Sequence, residues 1–397
     1  MDANVTKKTK SAIDAPGLLT YQRLALAMLP RKPSCRRGLF FNGSIVTFMI
    51  YRMIFTGLFL GAVFGFVLQR GRFCMTGALR DVWIAKNTWW LGALFVAITV
   101  QALGLAALET SGLLPISTVA SPFTPFATVV GGLAFGVGMV MAGGCATGTL
   151  YRAGEGLVGS WLALIFYALF ATIFTRGPLG KATAAVRTWG ATETPTIYAS
   201  LGVSSWVLVA VLAAGTATWA YRNLTRPRLP LASLPPEKTG LAHLLFEKAW
   251  NPYVTGILVG IIALAAWPLS WASGRQWGLG ITVPVTNLTT YFTTGEQSID
   301  WGALLVVGII AGSFLAARAS GEFKVRVPSA DIIVKSLLGG ALMGWGATWA
   351  GGCTIGNGLV ETSMFSWQGW TALLAMLAGA GLAATIFITN RAQLVKA

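Results

Sequence analysis

The stretch GGLAFGVGMVMAGGCATG, residues 131–148, returns 208 positions later as GGALMGWGATWAGGCTIG, residues 339–356. Gly131, Gly132, Gly136, Gly138, Ala142, Gly143, Gly144, Cys145 and Gly148 fall on Gly339, Gly340, Gly344, Gly346, Ala350, Gly351, Gly352, Cys353 and Gly356. Small residues four apart let membrane helices approach closely, which accounts for Gly132, Gly136 and their counterparts. It does not account for Gly-Gly-Cys, because consecutive glycines weaken a helix. The pattern predicts two pseudo-symmetric halves, each with a helix that breaks at Gly143–Gly144 or at Gly351–Gly352. A short helix then starts at Cys145 or Cys353, where free N–H groups and the positive dipole end stabilise anions. The same field favours thiolate character.

The chain around these stretches is apolar. It has 397 residues, 55% of them hydrophobic and 11% charged, with a mean hydropathy of +0.67. This composition predicts an all-α integral membrane protein. Apolar runs near 53–69, 89–108, 127–142, 159–175, 199–221, 254–272, 301–319, 332–350 and 368–389 predict about nine transmembrane helices. Several are shorter than the roughly 20 residues a crossing needs. Short, Gly-broken segments at matching places predict additional re-entrant helices that meet near the midplane.

The expected organisation is a first membrane half over 49–221, a cytoplasmic linker over 222–252, a second half over 253–390 and a tail over 391–397. The linker is assigned from its prolines and basic residues. Residues 1–48 carry eight Lys/Arg against Asp2 and Asp14. They read as a basic, disordered cytoplasmic extension, or equally as the product of a start codon assigned too early. The net charge of +16 fits basic cytoplasmic loops and leaves a surplus suited to an anionic solute. No basic segment is interleaved with aromatics, which argues against nucleic acid.

A third cysteine, Cys74, lies in QRGRFCMTGALRDVW, residues 69–83, after Arg70 and Arg72, whose guanidinium groups suit an incoming anion. The candidate transport residues are therefore Arg72, Cys74, Gly144, Cys145, Ala146, Thr147 and Gly148, with Gly352, Cys353, Thr354, Ile355, Gly356 and Asn357 from the second copy. Asn357 either hydrogen-bonds a solute oxyanion or caps a helix. Cys35, in the basic tail, has no counterpart and no assigned role. His243 is the single histidine and no C-x-x-C pair exists, so neither metal nor cofactor is expected. A disulfide oxidoreductase needs paired thiols, which only the fold could bring together. Asp81 and Glu155, next to Arg80 and Arg152, read as local ion pairs at helix ends. Glu361, in GNGLVETS, has no adjacent base and draws more attention as an intramembrane acid.

GFVLQRGRFCMTGALRDVW (65–83), VMAGGCATGTLYRAGEGLVGSW (140–161), GLGITVPVTNL (278–288) and WAGGCTIGNGLVETSMFSWQGW (349–370) together resemble the YeeE/YedE family of bacterial inner-membrane sulfur transporters. The resemblance runs from about residue 49 to about residue 390 and implies an hourglass-shaped, multi-pass helical transporter that imports thiosulfate. It also implies passage of the ion between pore cysteines, roles that fall here on Cys74, Cys145 and Cys353, and a small cytoplasmic TusA-like sulfurtransferase as partner, with membrane lipid around the protein. Some relatives carry a further cysteine where GSFLAARASGEFKVR (312–326) holds Ser313, so a three-thiol relay is implied here. The alternatives are transport of another sulfur or selenium compound, or a membrane sulfurtransferase or thiol oxidoreductase.

Overall fold

The computed structural model describes residues 42–192, 194–226, 239–295 and 299–389. Cys35, most of the 1–48 extension, part of the linker and the 391–397 tail lie outside the described residues. Among the described residues nine helices of 17 to 30 residues form the body: α1 (Asn42–Gly71), α3 (Trp89–Thr110), α4 (Pro125–Met141), α6 (Val158–Thr175), α9 (Ser205–Leu224), α11 (Pro252–Trp271), α13 (Trp301–Ala319), α14 (Ala330–Trp349) and α15 (Trp367–Ala384). Shorter helices link them: α2 (Met75–Ile84), α5 (Ala146–Gly154), α7 (Gly180–Thr188), α8 (Ile197–Leu201), α10 (Gly240–Phe246) and α12 (Thr282–Thr294). Among the described residues β-structure is confined to three isolated bridges.

Among the described residues seven segments are long and apolar enough to cross a bilayer, and the protein is a multi-pass membrane protein. Its outward faces carry Phe55, Phe59, Ile165, Val211, Leu315 and Leu374, a surface that only lipid solvates well. Helices α9 and α14 are absent from the seven, two short of the about nine expected, although α14 lies at the centre of the body. It packs against both α4 and α6, so close approach matters more there than oiliness, and four glycines lower its hydropathy.

Packing follows those glycines. A side chain added at Gly308 of α13 would begin 2.5 Å from the Leu58 carbonyl oxygen of α1, so only a bare backbone fits. Between α4 and α14 the contacts are reciprocal. Gly131 faces the Gly346 carbonyl at 2.7 Å and Gly138 faces the Gly339 carbonyl at 2.7 Å, measured from the position a Cβ would take. Gly132 and Gly136 of α4 meet Ala372 and Met376 of α15, while Gly340 and Gly344 of α14 meet Ala163 and Tyr167 of α6. The contacts of the 131–148 stretch are thus mirrored at matched positions of the 339–356 stretch.

Both anticipated breaks occur. Helix α4 stops at Met141 and α5 starts at Ala146, with Gly143 at φ 70°. Helix α14 stops at Trp349, and Gly351 stands at φ 76°. This left-handed region penalises any side chain, which explains the glycine at each turn. The second copy differs from expectation in its winding. Its short helix is a π-turn over Gly356–Glu361, in which Val360 N–H reaches the Ile355 carbonyl at 3.0 Å. The contacts above pair α6 with α15 at an offset of 209 against 208 at the cysteines. The two stretches therefore differ by one residue between the cysteine and the long helix that follows, and a π-turn absorbs one residue without breaking the helix.

Candidate functional site

Three buried thiols, Cys74, Cys145 and Cys353, lie inside this body and none forms a disulfide. Cys74 is the N-cap of α2, with extended backbone at φ −133° and ψ 119°, and the N–H groups of Thr76 and Gly77 lie against its sulfur. Cys145 is the N-cap of α5, where its Sγ accepts from Gly148 N–H at 3.3 Å. Helix α5 has nine residues, enough for its N-terminus to present a positive end to the thiol. Cys353 precedes the π-turn, and its carbonyl accepts from Asn357 N–H at 2.8 Å.

The thiols form a row. Cys74 and Cys145 lie side by side against Gly148, whose bare Cα leaves room for both. A side chain there would start 3.0 Å from the Cys74 sulfur and 3.5 Å from the Cys145 sulfur. The hydroxyl of Thr354, from the other half, stands beside Cys145, and Cys353 is its chain neighbour. Tyr167 of α6 lies near both Cys145 and Cys353 and shares a 2.8 Å hydrogen bond with Thr282. Each thiol is followed within two residues by a buried hydroxyl that has no hydrogen-bond partner: Thr76, Thr147 and Thr354. Buried polar groups are rarely left so, and three of them along one row suit a polar solute.

At one end, beside Cys74, sits an ion cluster. Arg72, in the left-handed region at φ 51°, pairs with Glu155 at 2.7 Å and Glu322 at 2.8 Å. Gln69 donates to Glu322 at 2.6 Å, and Arg70 donates to the Leu245 carbonyl of the linker at 2.7 Å. This end therefore faces the basic linker. Burial pushes the Glu155 carboxyl above the usual carboxylate range against the pull of Arg72. The sequence reading paired Glu155 with Arg152. Instead Arg152 turns back to the Gly143 carbonyl and stacks over Tyr151, which ties the two sides of the break together. The Arg80–Asp81 pair forms as read, at 2.8 Å.

At the other end a cavity of about 290 Å³ reaches Cys353. Ser121, Arg275, Thr282, Gly351, Gly352 and Glu361 are among the groups around it. Arg275 is held by a 2.9 Å bond to the Gly278 carbonyl, and an Arg187 nitrogen lies 2.8 Å from where a Gly351 side chain would begin. Burial pulls both guanidinium groups down, but arginine remains charged at any pH of interest.

Not every candidate faces this row in the same way. Asn357 donates to the carbonyls of Ala350 and Gly352, both at 2.9 Å, so both its amide hydrogens are spent on the broken end of α14. Of the two readings of this residue, capping is the one its bonds support. Gly144 packs against Gly148 and Thr149, Gly352 packs against Asn357, and Gly356 has open space around it. Ala146 and Ile355 are buried within the short segments. Ser313 is buried, hydrogen-bonds the Ile310 carbonyl at 2.9 Å and packs against Gly154 at the far end of α5. Sequence reasoning missed Tyr167, Arg187, Arg275 and Thr282. Only Thr282 lay in a stretch already singled out, GLGITVPVTNL.

A family model described as sulphur transport matches residues 70–382. A protein named thiosulfate transporter TsuA from Escherichia coli (strain K12) is 50% identical over 331 residues, covering 83% of this chain and 93% of that protein. Another of the same name, from Spirochaeta thermophila, is 34% identical over 342 residues, covering 82% and 97%. A probable transporter YedE from Escherichia coli (strain K12) is 35% identical over 147 residues, covering 34% and 36%.

Proposed function

This chain belongs to the sulphur-transport (YeeE/YedE) family, and from that premise we propose that it takes up thiosulfate across the bacterial inner membrane along the row of Cys353, Cys145 and Cys74. It is a transporter and not an enzyme, like the relatives named above. The observation that carries the reading is the row itself: three buried thiols, each with a buried hydroxyl close behind it, between a 290 Å³ cavity and the Arg72 ion cluster on the linker side.

Thiosulfate is a dianion with a soft terminal sulfur and three hard oxygens. Stripping its water in a low-dielectric interior is costly unless other donors replace that water. The N-terminal ends of α2 and α5 and the hydroxyls of Thr76, Thr147 and Thr354 supply such donors without a fixed counter-charge at each step. A thiol donates only weakly, and transport needs sites that bind well enough to admit an ion and loosely enough to pass it on. Arg275 and Arg187 draw the anion into the cavity. Arg72, already paired with two carboxylates, braces the exit and offers little net charge to hold the ion back. The two halves act as a pseudo-two-fold pair, with 222–252 as the linker between them, and a TusA-like carrier on the linker side accepts the sulfur that arrives.

Radiolabelled thiosulfate flux into liposomes that contain only this protein tests the reading. Saturable uptake that excess thiosulfate suppresses and sulfate does not is the expected result. Equal competition by sulfate, sulfite or selenium oxyanions would replace thiosulfate by a broader anion class, and a stoichiometric persulfide on Cys145 without net flux would overturn transport.

A further inference from the structure

Resting on the uptake reading above, we infer that Glu361 is a proton-loaded hydrogen-bond donor to the anion in the outer cavity. The side chain borders the cavity together with Cys353 and Arg275, is 1% exposed, and makes no hydrogen bond of ordinary length at either carboxyl oxygen, although Ser121 and Ser366 lie close by. An ionised carboxylate only accepts hydrogen bonds. In a 290 Å³ cavity it meets a dianion that also only accepts, and the two repel. Like charges forced together resolve by protonation of one of them. Protonated Glu361 becomes a donor to the anion, as neutral buried carboxylic acids do in other sites.

The surroundings explain why the residue is an acid and not an amide. The groups that face it are Arg187 from α7, Arg275 from the loop after α11, and Cys353 from its own stretch. Ser121 and Ser366 place hydroxyls beside it, and α15 brings Gly369 against its backbone. Helix α3, which also packs on the π-turn, carries its carboxylate Glu109 against Tyr198. Arg275 already has Asp300 near it, but half-buried Arg187 needs a counter-charge when no anion is present. Ionised Glu361 supplies it, and the arriving dianion takes over that duty. One proton from the outer solution then binds a Glu361 oxygen as the anion docks. It returns to the outer solution once the anion has moved past Cys353, so no proton need cross with the anion.

The test is equilibrium binding of radiolabelled thiosulfate to the purified full chain in detergent, between about pH 5.5 and 7.5, with Glu361→Gln separating the carboxyl proton from those of the helix-capping thiols. Wild-type affinity is expected to weaken by up to about tenfold per pH unit across the interval in which Glu361 loses its proton, as one linked proton requires. Glu361→Gln, which keeps an N–H donor, is expected to hold the low-pH affinity and flatten the profile. A profile in Glu361→Gln parallel to wild type, a flat wild-type profile, or loss of binding at every pH by a monodisperse Glu361→Gln protein with unchanged Tm each overturns the inference while leaving uptake intact. No thiosulfate binding by wild type at any pH would remove the uptake reading itself.

Discussion

Replacing Gly148 by alanine inserts one methyl group between the two inner thiols. Its carbon would lie 3.0 Å from the Cys74 sulfur, where ordinary contacts are 3.4–4 Å, so that sulfur must give way by about 0.4 Å or more. Gly148 sits inside α5, and alanine there gains about 1 kcal/mol of helix propensity. Overpacking of this size costs about 1–3 kcal/mol, so the two effects largely offset and the variant is expected to fold. The same steric cost falls on any ion that passes between Cys145 and Cys74, and about 1–3 kcal/mol on that barrier slows uptake by about 5- to 150-fold. Initial rates of labelled thiosulfate uptake into proteoliposomes measure the effect, with Tm in detergent as the folding control. Gly215→Ala, inside α9 and away from the row, is the matched comparison, since nothing lies within 4 Å of its added carbon, and it is expected to be silent. A well-folded Gly148→Ala protein with wild-type uptake would show that the ion does not pass between these sulfurs.

Asn357→Ala leaves the carbonyls of Ala350 and Gly352 without their donors, at about 1–3 kcal/mol for each unsatisfied group. Its signature is a lowered Tm, with thiosulfate affinity per folded molecule preserved. Gly346→Val places a carbon 2.6 Å from the Gly131 carbonyl and the Phe135 amide. Backbone cannot swing aside, so the cost is expected at or above the top of the about 1–3 kcal/mol overpacking range, visible as loss of the monodisperse peak on size-exclusion chromatography. Arg72→Ala removes the partner that opposes the burial of Glu155. A carboxyl held above its ordinary range in the fold costs stability as pH rises through that interval and costs nothing below it. The Tm deficit of Arg72→Ala caused by Glu155 is therefore expected to be smallest near about pH 4 and to widen towards about pH 7. A deficit that narrows with rising pH would contradict this assignment.

The repeated Gly-Gly-Cys stretches were legible because they state their own backbone requirement. A glycine at φ 70° or 76° is demanded by the turn itself, wherever the rest of the chain goes. Among the described residues a long helix covers each of the nine apolar runs, and seven segments are long and apolar enough to cross, because a bilayer asks only for length and apolarity from each segment. What stayed illegible depends on contacts between segments distant in sequence. Arg72 meets Glu155 and Glu322 only after α1, α5 and α13 have packed, so the nearest base, Arg152, was the natural but mistaken partner. Arg187 and Arg275 belong to connecting segments with no motif, and tertiary position brings Arg275 to the cavity and Arg187 to Gly351 beside it. The π-turn was invisible for a different reason. One added residue leaves no mark on composition and shows only when the contacts of α6 and α15 are set beside the aligned cysteines.

The most direct test of the relay is Cys145→Ser in proteoliposomes, with labelled thiosulfate outside and both uptake and bound counts recorded. Serine keeps a donor at the N-cap of α5 but removes the larger, polarizable sulfur from the middle of the row. The account predicts that the anion still binds on the Cys353 side while uptake falls at least as far as in Gly148→Ala. Uptake at the wild-type rate by a folded Cys145→Ser protein would contradict it.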